Sequence, residues 1–159
     1  MGIKANFTKE DIKRRFDRFL NQIEKEEVRV LQYLGEECVK YAREIPASRG
    51  YTDRTGHLRS STGYMIFKDG QAIHSNFEAV NGPEGGGSSS VGINEGQRVA
   101  TNAAKRHPEG LCLVVVAGMS YAVYVESTGR DVLTSTETLA KKELPKLIND
   151  LVDSINKAI

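Results

Sequence analysis

Leu111-Cys112-Leu113-Val114-Val115-Val116-Ala117 is a continuous apolar run with three consecutive valines. This is the pattern of a strand covered on both faces or lying at a sheet centre, and it predicts the core strand. Beyond Gly118, the stretch Tyr121-Ala122-Val123-Tyr124-Val125-Glu126 is long enough for another strand or a helical turn, and periodicity does not separate the two. Thr134-Ser135-Thr136-Glu137 then has the pattern of a capping box, and Leu144, Ile148, Leu151 and Ile155 share one stripe, so a C-terminal helix is expected. Pro145 lacks an N–H and clashes with the preceding turn. The helix should kink there or restart with Pro145 in its first turn.

Upstream of the core strand, Glu95 to His107 fits a short, weakly amphipathic helix through Val99, Ala103 and Ala104, with Gly96 and Asn102 lowering its propensity. Asn81 to Ser90 is built of Gly, Ser, Pro, Asn and Glu and has no apolar surface to offset the entropy of ordering it. It reads as a mobile loop or arm. A phosphate cradle would require a following lysine, which is absent. Before it, Leu58–Phe67 and Gln71–Phe77 read as two strands, joined by the Asp-Gly turn signal in Lys68-Asp69-Gly70. Ala47 to Gly56 has no period and reads as an exposed loop carrying Arg49 and Arg54.

The chain opens with a strong helix start: Thr8 as N-cap, Asp11 reaching back to it, and Phe7 placed to pack on Ile12. Ile12, Phe16, Phe19, Ile23, Val30, Leu31, Leu34, Cys38, Tyr41 and Ile45 follow at helical steps on one face. Pro46 ends the element. A helix this long either lies across a sheet or projects toward another subunit. The expected fold is α+β: a single domain over residues 1–159, with a long N-terminal helix and a C-terminal helix packed on a small, mainly antiparallel sheet. Flexible loops are expected near 47–56 and 81–90.

The chain of 159 residues lies within the roughly 100–200 expected of one domain. Its 39% hydrophobic and 27% charged residues are ordinary for a globular chain. The 22 basic and 21 acidic residues nearly cancel, which removes any global field toward nucleic acid or an anionic membrane. No signal-peptide pattern and no run of ~18 apolar residues is present, so neither secretion by that route nor a membrane span is expected. Cys38 and Cys112 sit in apolar stretches, as buried thiols do in a reducing cytoplasm.

His57, His74 and His107 fall in different expected elements without metal-ligand spacing, and no serine stands in a Gly-x-Ser-x-Gly elbow. Glu78, Glu84, Glu95, Glu109 and Glu126 are scattered, so a metal-dependent nuclease is an undirected alternative. Arg49, Arg54, Arg59 and Lys105-Arg106 suit phosphate or carboxylate partners, which keeps a small DNA-binding protein open as well. No cofactor or metal is implied.

Two segments resemble a known family. Ile45-Pro46, followed by Thr55-Gly56-His57-Leu58-Arg59-Ser60-Ser61, is similar to the Pro…Thr-Gly-x-Leu-Arg-x-Ser stretch of the minor tail-component proteins of tailed bacteriophages and prophages, found at head–tail junctions. Gly118-Met119-Ser120-Tyr121-Ala122-Val123-Tyr124-Val125-Glu126 resembles the Tyr-Ala-x-x-Val-Glu segment of the same family, in the same order and spacing. Here Ser127-Thr128-Gly129-Arg130 follows in place of an aromatic, Gly and Thr, and the loop from Pro46 to Thr55 is longer.

The resemblance implies a non-enzymatic virion assembly protein of the neck or tail-completion type. Such a protein self-associates in a ring around the DNA channel and meets connector or tail proteins. It resides in the bacterial host cytoplasm during assembly and then in the virion. Thr55, Gly56, Leu58, Arg59, Ser60, Tyr121, Ala122, Val125 and Glu126 are the family-motif and candidate interface residues. Among them Gly56, Leu58, Tyr121 and Val125 are expected to be structural. Arg59 and Glu126 are expected to make polar contacts within or between subunits.

Overall fold

Thr8 caps the longest element, and the structure, a computed structural model, describes residues 6–84 and 89–158. Helix α1 (Lys9–Glu44) opens with the expected capping box: the Asp11 N–H donates to the Thr8 hydroxyl, and the Thr8 N–H donates to the Asp11 carboxylate at 2.9 Å. Phe7 and Ile12 both remain more than half exposed. At about 1.5 Å per residue, the 36 residues of α1 span roughly 54 Å, more than twice a seven-residue strand. The helix therefore both crosses the sheet and projects beyond it.

After α1 comes a single helical turn, α2 (His57–Ser60), and then the strands β1 (Thr62–Lys68) and β2 (Gln71–Phe77). The expected strand from Leu58 thus begins four residues later. Gly56 adopts φ +80°, and Asp53 accepts from the Gly56 and Arg59 N–H groups at 2.9 and 2.7 Å, which winds the intervening residues into a turn before the strand. The hairpin itself forms as read. Asp69 and Gly70 both take positive φ, +48° and +77°, the type I′ geometry that matches strand twist.

Helix α3 (Ser89–Ala104) and strand β3 (Leu111–Ala117) follow, then α4 (Ala122–Ser127) and α5 (Thr134–Ala158). The expected loop at Asn81–Ser90 lies partly outside the described residues, and Ser89 and Ser90 already belong to α3. The helix expected from Glu95 to His107 is displaced toward the N-terminus because Gly92, Gly96, Ala100 and Ala104 form a small-residue face, with Gly92 against α2 and the other three against the sheet and its entry. A Cβ at Gly96 would sit 2.4 Å from the Phe77 ring and 2.6 Å from the Ser61 carbonyl oxygen. Close approach, which helix propensity does not register, sets this element.

The three strands make one antiparallel sheet in the order β2-β1-β3. β3 is therefore an edge strand, and β1 holds the centre that sequence had allowed to β3. Both faces of β3 are nevertheless covered: Val114 and Val116 pack with Met65, Phe67, Ala100 and Ala104 beneath α3, while Leu113 and Val115 pack with Tyr64, Ile66 and Val39 beneath α1. β1 reads as less apolar because Thr62 and Tyr64 are buried with their hydroxyls bonded to the Leu58 carbonyl and to Glu36, at 3.0 and 2.8 Å. Burial pushes the Tyr64 phenol upward, and its bond to Glu36 adds to the rise.

α5 returns antiparallel along α1: Cys38 shares a recess with Thr136 and Ala140, and Ile23 shares a groove with Leu151 and Ile155. The helix continues through Pro145. The fold is an α+β single domain with the long N-terminal and C-terminal helices on one face of the small sheet and α3 on the other. Among the described residues no helix is long and apolar enough to cross a membrane.

Candidate interaction surfaces

Gly56 lets α2 begin, and its missing side chain is required: a Cβ there would stand 2.0 Å from the Val80 carbonyl oxygen. The motif residues around it tie three chain segments together. Thr55 accepts weakly from the His57 N–H at 3.4 Å, and Leu58 is buried. Arg59 donates to the Arg43 carbonyl at 3.1 Å, satisfying an end group of α1, and lies 5.7 Å from the centre of the Tyr51 ring. Burial pushes the Tyr51 phenol up to about 12, against the pull of Arg59. Ser60 exchanges bonds with Val80: it accepts from the Val80 N–H at 2.8 Å and donates to its carbonyl at 3.1 Å.

The second motif docks on the first. Leu58, Ala122 and Val132 form a buried cluster flanked by Tyr51, Met119, Val125 and Leu133. The backbone of Ser61 accepts from the Gly118 N–H at 3.1 Å, and its hydroxyl accepts from the Met119 N–H at 3.2 Å. Tyr121-Ala122-Val123-Tyr124-Val125-Glu126 resolves as a helical turn: Ala122 and Val125 point into this cluster, whereas Tyr121 is 39% exposed and does not fill the core as expected. Val123 and Tyr124 stand out further, at 76% and 71% exposed.

Glu126 makes its polar contacts within the chain. One carboxylate oxygen accepts from the Leu133 and Thr134 N–H groups at 2.9 and 2.8 Å and from the Thr134 hydroxyl at 2.8 Å. Burial pushes this carboxyl up, but the hydrogen bonds outweigh it and hold it below the usual range. Asp131 adds a second cap by accepting from Ser135. α5 is thus capped by preceding residues, not by the expected Thr134–Glu137 box, since the Thr134 hydroxyl is turned to Glu126.

Asp53, Arg43 and Asp131 carry this corner and were not singled out from sequence, and Ser61, quoted there only as the end of the first motif, joins them. Asp53, three residues before Gly56, had the spacing of a local cap and could have been found. Arg43 binds Glu78 at 2.5 Å and the Thr62 carbonyl at 2.9 Å, pairings between distant segments that no local pattern signals. The 47–56 segment has no regular structure, but it is tied down: Arg130 donates to the carbonyls of Ala47 and Gly50 at 3.2 and 3.3 Å, and the Asp131 N–H donates to that of Arg49. Arg49 and Arg54 are exposed, with Arg54 3.7 Å from Glu84.

The scattered carboxylates do not converge. Glu78 meets Arg43, Glu84 meets Arg54, and Glu95 meets Arg98. Among the described residues no group of three or more His, Cys, Asp or Glu side chains is placed to hold a metal ion.

A second surface lies at the other end of the molecule. A groove of about 690 Å³ runs between α1, α5 and the end of the sheet, lined by Leu20, Ile23, Leu31, Leu111, Ile148 and Val152 among others, with Glu24, Glu27 and Asp69 on its rim. The turns of α1 before Phe19 line neither this groove nor the one on the opposite side of α5. There Ile12 and Phe16 are exposed, 54% and 58%, amid Lys9, Lys13, Arg14, Arg15 and Arg18. No family model, curated protein or solved structure matches the chain.

Proposed function

We propose that the protein is a structural assembly subunit of a tailed bacteriophage or prophage, acting at the head–tail junction or tail end, where copies close into a ring around the DNA channel. One observation carries the reading: the two segments that resemble the minor tail-component family fold onto one another, and their polar groups are engaged inside the chain. Large apolar side chains meanwhile face outward on α4 and on the first turns of α1. Outward apolar surface of this kind marks a site of protein association. Connector or tail proteins are the further partners, and DNA passes through the channel without being held by a dedicated site. Assembly takes place in the host cytoplasm and ends in the virion.

Electron microscopy of the concentrated protein tests this reading. Closed rings with an open axial hole are expected. A protein that stays monomeric and instead cleaves duplex DNA with a divalent cation would replace this proposal with the nuclease alternative.

A further inference from the structure

We infer that the first turns of α1 form an arm that lies in the α1–α5 groove of a second copy of the same chain. The inference rests on the ring reading for its head-to-tail geometry, but the contact itself is argued from the two surfaces.

The arm is apolar on one side and basic around it. Ile12 and Phe16 are four residues apart and so share a helix face, with Phe7 just before the cap. These three side chains leave on the order of 300 Å² of apolar surface in water, judged from the area that large side chains bury. That is already the size of the largest patch on a typical monomer. Lys9, Lys13, Arg15 and Arg18 have no ionic partner among the described residues, and Arg14 is bonded only to Asp11. Glu10 and Asp17 offset part of this, and with five basic and three acidic side chains residues 9–18 keep a net charge of +2.

The groove has the complementary character. Its floor is Ile23, Leu31, Leu111 and Leu144, and Ile148 and Val152 on its α5 side are each close to half exposed. On the rim, Lys68 is bonded to Glu24, which leaves Glu27 and Asp69 without an ionic partner among the described residues. Asp69 accepts from the Gly110 N–H at 2.8 Å, which holds its carboxylate at the lip. An amphipathic helix laid apolar face down in such a groove buries its anchors, while its flanking lysines and arginines meet the acidic rim. The arm cannot reach its own groove, because it is the same rigid helix that forms one wall. Only a second copy can supply it. Since arm and groove are different surfaces, each copy offers one of each, which allows successive copies to add head to tail and to close a ring.

The test uses two full-length variants, Phe16→Glu in the arm and Val152→Glu in the groove. Both positions are about half exposed, so each variant should keep the wild-type circular dichroism spectrum and melting behaviour. Mass photometry of each alone should show association weakened by about 100-fold or more, the loss typical of removing an aromatic anchor or blocking its pocket. An equimolar mixture retains one intact arm and one intact groove. It should form one-to-one pairs that grow no further. Wild-type rings that persist in both variants would overturn the arm contact and leave the ring reading standing. A closed wild-type pair abolished by both variants would support the contact and remove the ring. A wild type that is monomeric at every concentration, or an arm that binds duplex DNA while Phe16→Glu still assembles, would overturn the inference.

Discussion

Replacing Glu126 separates a structural motif residue from an intersubunit one. Its carboxylate accepts from two backbone N–H groups and a hydroxyl at the start of α5, at 2.8 to 2.9 Å. Loss of a helix cap costs about 0.5–2 kcal/mol, and the negative charge at a helix N-terminus contributes about 0.3–1 kcal/mol more. Glu126→Ala should therefore destabilise the monomer by about 2 kcal/mol, and Glu126→Gln, which keeps an acceptor oxygen, by about 1 kcal/mol. For a chain of this size each kcal/mol lowers the melting temperature by about 2–4 °C, so the shifts are about 4–8 °C and 2–4 °C. The assay is thermal unfolding followed by circular dichroism at pH 7 and at stepped lower pH. The native carboxyl is held below its unfolded value of about 4.5, so its contribution is complete above that value and disappears as pH falls through the depressed native one. The gap between wild type and Glu126→Gln should be constant from pH 7 to about pH 5.5 and close at more acid pH. If Glu126→Ala melts within about 1 °C of wild type at pH 7, the cap reasoning is wrong and the residue's role lies outside the monomer.

Two further outcomes follow from the same corner and the core above it. Gly56→Ala places a Cβ 2.0 Å from the Val80 carbonyl at a positive φ, so it should cost at least about 2 kcal/mol in urea unfolding; a neutral result would mean the turn relaxes freely. Cys38 is fully buried, and burial, with Glu37 nearby, pushes its thiol up to about 11, so a thiol reagent at pH 8 should modify it only as fast as the protein opens; rapid labelling of Cys38 in the native state would contradict the packing of α5 on α1.

Elements whose signals are local were legible in the sequence. The Thr8–Asp11 cap, the Asp69-Gly70 turn and the stripe of α1 each specify their structure within a few residues, and all three form as read. What sequence misplaced depends on contacts across the chain. β3 looked central because three successive valines outweigh the buried Thr62 and Tyr64 of β1, whose hydroxyls are satisfied only after folding. α3 looked short because its glycines lower propensity, yet those glycines let it sit on Phe77 and Ser61. Within the motif, Arg59 and Glu126 were expected to make polar contacts, and both make them inside the chain. Tyr121 was expected in the core and instead joins Val123 and Tyr124 on the surface, because a helical turn, unlike a strand, places those three together around its outer side. The projection of α1 was one of two outcomes for so long a helix, and the chain combines both.

Mass in solution, measured by light scattering over a wide range of protein concentration with and without duplex DNA and divalent cation, tests the assembly proposal most directly. Growth from monomer to a closed ring of fixed mass, indifferent to DNA and cation, is the expected result. A monomer at every concentration that binds duplex DNA or cation would contradict it.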